Sequence, residues 1–220
     1  MLADRLESIL KELPSGVKLV AVSKFHPLEA LLEAYDAGQR VFGESRPQEF
    51  LQKVTSIGKD DIEWHFIGHL QTNKLKMVLP YASMVESVDS LHLLREIDKW
   101  GRDNGRVLDI LLELHLGAEE TKQGFHEEEI LEVLFNAGQY ANVRFCGLMG
   151  MASHTEDESV IEADFSRIDS FMAYLVDLFP ELDTFNQLSI GMSDDWRIAI
   201  KNGATIVRIG SAIFGPRSLG

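Results

Sequence analysis

The residue best placed for covalent chemistry in this chain is Lys24. It closes the run Val17-Lys18-Leu19-Val20-Ala21-Val22-Ser23-Lys24, in which five of the first six residues are apolar. A short, valine-rich run of this kind reads as a buried strand. Phe25-His26-Pro27 then breaks the strand and opens a helix. A partly desolvated amine at the carboxyl end of such a strand can lose its proton and attack an aldehyde, forming a Schiff base. The plain alternative is a surface lysine that merely closes a strand. Two further stretches could hold an anion. Gly191-Met192-Ser193-Asp194 leads into a helix start, and Gly210-Ser211 follows Arg208-Ile209. Glycine lets the backbone approach a ligand closely, and the unpaired N–H groups of a helix start supply donors. The plain alternatives here are a serine N-cap and a turn glycine.

These residues sit in a regular alternation of strands and helices. Residues 2–13 place Leu2, Leu6, Ile9, Leu10 and Leu13 on one helical face, ended by Pro14-Ser15-Gly16. After the lysine strand, Leu28, Leu31, Leu32 and Tyr35 predict a second helix. Further strands are expected at 40–44, 64–68, 83–88, 107–116, 143–149, 188–190 and 205–209. Between them, helices are expected from Pro47, at 72–79, 90–102, 127–137, 159–179 and 194–202. Asp36-Ala37-Gly38, Asn136-Ala137-Gly138 and Lys201-Asn202-Gly203 share one helix exit, with the glycine as a left-handed cap. After Ile209 little chain remains for a last helix.

No linker and no shift of composition divides the chain, so one domain over residues 1–220 is expected. Eight strand–helix units in one domain close most naturally into a (β/α)8 TIM barrel, here with a leading N-terminal helix. A doubly wound open sheet is the alternative, although Gly-x-Gly-x-x-Gly is absent after the first strand. In a barrel the carboxyl ends of all strands surround one mouth, and the loops after strands seven and eight usually cradle phosphate. Set opposite Lys24, those loops favour a phosphorylated aldehyde held covalently.

Composition narrows the classes of function. A formal net charge of −14 repels nucleic acid and anionic membranes, and no basic patch offsets it. No apolar run approaches the roughly 20 residues that span a bilayer. The start Met1-Leu2-Ala3-Asp4-Arg5-Leu6 reads as an amphipathic helix and not a signal peptide, so a cytoplasmic location is expected. The single cysteine, Cys146, excludes an internal disulfide and lies in an apolar run as a buried thiol would. The acidic runs Glu127-Glu128-Glu129 and Glu156-Asp157-Glu158 read as first-turn helix residues. His26, His92, His126 and His154 read as loop or surface residues, and His65 as packing within a strand. His69 and His115 fall at strand ends without the partners of a zinc site, so no metal is expected. Glu113 is either barrel-interior or paired.

Several stretches resemble one family. They are Ala21-Val22-Ser23-Lys24, Phe42-Gly43-Glu44-Ser45, Trp64-His65-Phe66-Ile67-Gly68-His69-Leu70-Gln71-Thr72-Asn73-Lys74, Gly147-Leu148-Met149-Gly150-Met151, Leu188-Ser189-Ile190-Gly191-Met192-Ser193-Asp194-Asp195 and Val207-Arg208-Ile209-Gly210-Ser211-Ala212-Ile213-Phe214-Gly215. The family is that of the pyridoxal phosphate homeostasis proteins, single-domain barrels related to the N-terminal domain of bacterial alanine racemase. The resemblance runs from about Val17 to Gly215. It implies a barrel that holds pyridoxal 5′-phosphate (PLP) as a lysine aldimine. Lys24 matches the lysine that forms it. Arg208 matches the arginine facing the pyridine nitrogen; an arginine keeps its own proton, so the ring stays unprotonated and a weaker electron sink. Ser193, Gly210 and Ser211 match phosphate-binding positions, with Gly191 and Met192 shaping the loop. Met149 and His69 fall near the cofactor. This chain departs from the family at Ser45, which stands where asparagine is usual and is followed by Arg46-Pro47. Asparagine can donate to the cofactor's phenolic oxygen, and serine is shorter, so that contact does not carry over.

The implied function is storage, buffering or delivery of PLP in intracellular homeostasis, without turnover. PLP-requiring apoenzymes are the implied partners, and a monomer is expected. Racemisation needs a second base on the opposite face of the cofactor, supplied in the racemases by an added β domain. An amino-acid racemase-like PLP enzyme is the alternative. A cofactor-free Schiff-base barrel of the aldolase kind is a third reading, although aldolase lysines more often lie on middle strands.

Overall fold

Residues 1–117 and 123–216 are described by a computed structural model. The apolar runs become eight strands: β1 (Lys18–Val22), β2 (Val41–Glu44), β3 (Glu63–Phe66), β4 (Met84–Val88), β5 (Leu108–Glu113), β6 (Val143–Met149), β7 (Gln187–Ser189) and β8 (Ile206–Ile209). Each pairs in parallel with the next, and β8 pairs back onto β1, so the sheet is a closed barrel in chain order. Parallel neighbours require crossovers. These are α2 (Leu28–Asp36), α3 (Pro47–Ile57), α4 (Leu75–Val78), α5 (Leu91–Asn104), α6 (Glu127–Phe135), α7 (Glu158–Leu178) and α8 (Trp196–Lys201). The leading helix α1 (Leu2–Glu12) and the short α9 (Ser211–Phe214) pack together beside β1 and β8. Arg5 Nε ties them by donating to the Ile213 carbonyl at 2.7 Å.

Both faces of the strands are largely buried, which is why a run such as β1 is almost continuously apolar. On β1, Leu19 and Ala21 join the layer beneath the helices, whereas Val20 and Val22 join Met84, Leu111, Cys146, Met149 and Ile206 inside the barrel. Phe42, Phe50, Phe66 and Phe165 are fully buried in the outer layer, where truncation to alanine costs about 3–5 kcal/mol each. The amino-terminal rim is closed by ion pairs: Lys18 with Glu63 at 2.8 Å, and Arg144 with Asp109 through two bonds of 2.8 and 2.7 Å. Chemistry in such barrels gathers at the opposite rim.

Three local expectations are corrected. The fifth strand stops at Glu113 and not at 116; Leu114 makes only an isolated bridge to Phe125. The helix expected at 72–79 divides into a 3-10 turn, Thr72–Lys74, and the single turn of α4, with Pro80 unable to extend it. Gly38 and Gly203 take the left-handed conformation, at φ 101° and 77°, but Gly138 does not. It lies in a 3-10 turn, Ala137–Gln139, that continues α6 with a bond from the Tyr140 N–H to the Ala137 carbonyl.

Candidate functional site

The register of β1 on β8 pairs Ala21 with Ile209. Lys24, two residues beyond β1, and Gly210, one beyond β8, therefore leave the barrel at the same rim on neighbouring strands. The approach is close: a Cβ on Gly210 would lie 3.1 Å from the Val22 carbonyl oxygen. Ser193, in the loop after β7, turns toward the same exit. Its Oγ accepts from the Gly210 N–H at 3.2 Å and the Ala212 N–H at 3.4 Å. Ser193 is thus not the plain N-cap of α8; Asp195 takes that position, and its Oδ1 accepts from the Met192 N–H at 2.5 Å. Met192 and Ser211 are exposed at the mouth. On the other flank β2 pairs Val22 with Gly43, which puts Ser45 beside Lys24. Gly68 packs flat on Ser45, where any Cβ would overlap the Ser45 carbonyl. The result is an amine, a hydroxyl and glycine-bearing turns around one quadrant of the rim.

Arg208 lies beneath that quadrant, inside the barrel and 4 % exposed. Its Nη1 donates to the Ser189 carbonyl at 2.7 Å and to Ser189 Oγ at 2.6 Å, and its Nη2 to the Gly150 carbonyl at 3.0 Å. Ser189 Oγ in turn donates to Glu86 Oε2 at 2.5 Å, and His65 Nδ1 lies 2.5 Å from Glu86 Oε1. Burial alone would push the Glu86 carboxyl up, but the His65 contact, the Arg208 charge and the Ser189 hydroxyl hold it below its usual range. Burial lowers the Arg208 guanidinium, against the opposing charges of Glu86, Glu113 and Asp195. His65 is therefore a member of a buried polar chain rather than mere packing. Period-two alternation could have signalled this, since His65 and Glu86 share the inward face of β3 and β4. Only closure of the barrel brings Ser189 and Arg208 to them.

The remaining expected residues are spread round the rim. Met149 ends β6 among the barrel-lining residues, paired in register with Ser189. His69 is exposed and holds Asp89 through Nδ1 at 2.8 Å. Glu113 is barrel-interior and 5 % exposed; burial raises its carboxyl to about 7, with the Asp89 charge adding to the effect. Beyond it, a cleft of about 1050 Å³ opens, lined by Glu113, His115, Met151, His154, Met192 and Asp195 among others. His26, expected in a loop or at the surface, lies in the loop between β1 and α2 but is buried there, its ring stacked on Phe214 at 5.1 Å. Among the described residues no cluster of histidine, cysteine, aspartate and glutamate could hold a metal ion. Nor is any described helix long and apolar enough to cross a membrane.

A barrel of this order, with a lysine closing β1 and a glycine turn after β8, defines the class of the alanine racemase N-terminal domain, whose family model matches residues 1–218. The chain is 38 % identical to the pyridoxal phosphate homeostasis protein of Aquifex aeolicus, over 91 % of this chain and 87 % of that one. It is 37 % identical to the protein of the same name from Schizosaccharomyces pombe, over 97 % and 91 %. Among solved structures it matches PipY of Synechococcus elongatus at 36 % identity, covering 98 % of this chain and 100 % of that one. The TM-score is 0.93 for PipY without PLP and 0.92 for PipY with PLP bound. The chain belongs to the pyridoxal phosphate homeostasis protein family.

Proposed function

We propose that this protein binds PLP through Lys24 and serves its intracellular homeostasis by storing, buffering or delivering it, with no turnover of its own. It acts as one domain over residues 1–220, as a cytoplasmic monomer, with PLP-requiring apoenzymes receiving the cofactor. The carrying observation is that β1 and β8 pair, so a lysine near the start of the chain shares one rim with the turns near its end. PipY, at 36 % identity, has been solved with PLP bound.

The residues at the rim suit the group. PLP supplies an aldehyde that condenses with amines, a pyridine ring and a phosphate. Lys24 is the amine for the aldehyde. Ser193 Oγ and the backbone at Gly210 and Ser211 would cradle the phosphate, and glycine at 210 lets the exit of β8 pass close to β1, where a Cβ would lie 3.1 Å from the Val22 carbonyl oxygen. Arg208, its Nη1 and Nη2 engaged by Ser189 and Gly150, would supply a fixed cation for the ring nitrogen. Met149 and Met192 offer apolar surface to the ring, and Ser45 and His69 stand at the mouth on the side of β2 and β3. Ser45 is shorter than the asparagine usual in the family and reaches less far toward the phenolic oxygen.

Absorbance spectra of the purified protein with added PLP test this reading. An imine band that borohydride removes, absent in Lys24→Ala, is expected. No band in refolded, cofactor-supplied protein counts decisively against it. Loss of α-deuterium from an added amino acid well above the rate with free PLP would instead favour the racemase-like reading.

A further inference from the structure

We propose that Lys53, Glu44 and Glu49 are positioning residues for Lys24, gripping the peptide on both sides of it and fixing the direction in which its amine leaves β1. The inference rests on the reading that Lys24 carries the cofactor aldehyde.

The starting observation is Phe25. It is the sole non-glycine residue at positive φ among the described residues, at φ 67°. A bulky side chain is rarely found there, and such a conformation persists only where the surroundings over-determine it. Those surroundings are explicit. Glu49 Oε1 accepts from the Phe25 N–H at 2.7 Å. Lys53 Nζ donates to that same Glu49 oxygen at 2.8 Å, to Glu44 Oε1 at 2.7 Å and to the Ser23 carbonyl at 2.6 Å. Ser23 Oγ donates to Glu44 Oε1 at 2.6 Å. The His26 N–H closes the turn onto the Ser23 carbonyl at 3.1 Å, and the Arg46 guanidinium lies 4.6 Å over the Phe25 ring. Both neighbours of Lys24 are thus bonded to one ammonium and its two carboxylates.

A buried ion cluster is weak support for fold stability, because apolar packing serves as well. Lys53 is 5 % exposed and Glu44 is fully buried, so the cluster carries a large desolvation cost. What it supplies that apolar side chains do not is direction. It also stands apart from the mouth. Ser23 and Glu44 continue the helix-facing residues of their strands, Ala21 and Phe42, whereas Lys24 continues the barrel-lining pair Val20 and Val22. The cluster can therefore hold the lysine's backbone from behind without touching a ligand. Condensation joins the amine nitrogen to the aldehyde carbon as C=N, with loss of one water, and its equilibrium depends on how well the amine is oriented. The hydrogen bonds of Ser193, Gly210 and Arg208 run to partners other than this cluster, and the turn meets α9 through the stacking of His26 on Phe214.

The test compares two ligands on wild type, Lys53→Met and Glu49→Ala. PLP has the aldehyde; pyridoxine 5′-phosphate has the same ring and phosphate with an alcohol in its place. In both variants, affinity for PLP should fall about tenfold or more and the imine band should form more slowly. Affinity for pyridoxine 5′-phosphate should stay within about twofold of wild type. Circular dichroism checks the fold, and should Lys53→Met not fold, Glu49→Ala carries the test alone. Equal weakening of both ligands, or no change in either, overturns the inference. A wild type that binds both ligands without any imine overturns the Lys24 reading and this inference with it; an imine indifferent to both substitutions overturns the inference alone.

Discussion

Glu113 ends β5 inside the barrel, where it is buried. The folded carboxyl holds its proton to about 7, against 4.5 for an exposed group. Between those values the folded state binds more protons than the unfolded state, so stability falls as pH rises through that window and levels off above it. The full penalty is on the order of 3 kcal/mol. Glu113→Gln should therefore match wild type closely near pH 5 and exceed it by roughly 2–3 kcal/mol at pH 8, read by urea denaturation. A difference independent of pH would refute the assignment. Cys146 is the other residue whose burial is measurable in solution. Its thiol is pushed up to about 11, chiefly by burial and then by the Asp109 charge. At pH 8 it should resist a disulfide reagent in native protein and react at once in denaturant, since the thiolate is the reactive form.

Among the elements, β6 carries the sharpest local constraint. The register of β5 on β6 slips between Ile110 and Leu111, leaving Cys146 as an extra residue before Gly147. Gly147 sits at φ 146°, and a Cβ there would overlap the Gln187 carbonyl. A bulge of this kind bends the strand and re-aims the residues beyond it, here Met149 and Gly150 at the rim. Gly147→Ala should cost about 3 kcal/mol or more, because neither backbone can yield without breaking a ladder. Gly138→Ala is the control: nothing lies within 4 Å and its φ is ordinary, so the change should be neutral or stabilise by about 0.5 kcal/mol. Thermal denaturation of the two variants side by side separates them. The boundaries of these elements were legible where capping and apolar period agreed, as in α1, α2 and α7. They were less so at β5, where Leu114 and Leu116 extend the apolar run after the chain has left the barrel.

At the scale of the whole molecule, the barrel divides into a rim of ion pairs at one end and, at the other, the rim proposed to hold PLP. A ligand bound only by the folded state stabilises it by mass action, about 2.7 kcal/mol at a hundred times its dissociation constant. For a chain of this size that is a rise in melting temperature of roughly 5–10 °C. PLP should produce it in wild type, and Lys24→Ala should lose most of it while keeping the melting temperature of the ligand-free protein. Equal shifts in both would mean that the lysine contributes nothing to holding the ligand.

From the sequence alone came the eightfold alternation of strands and helices and the placement of Lys24, Ser193, Arg208 and Gly210 toward the carboxyl ends of strands. These are local properties: periodicity, strand length and glycine placement act within about ten residues. Tertiary structure alone decided which distant side chains share a hydrogen bond. Glu44, Glu49 and Lys53 looked like an ordinary strand end and an ordinary helix face until β1, β2 and α3 packed together around the Phe25 turn. His65, Glu86, Ser189 and Arg208 come from four strands and meet only because the barrel closes. Hydrogen bonds reach about 3 Å, whereas these residues lie up to 143 positions apart, and only the closed ring of strands converts the second distance into the first.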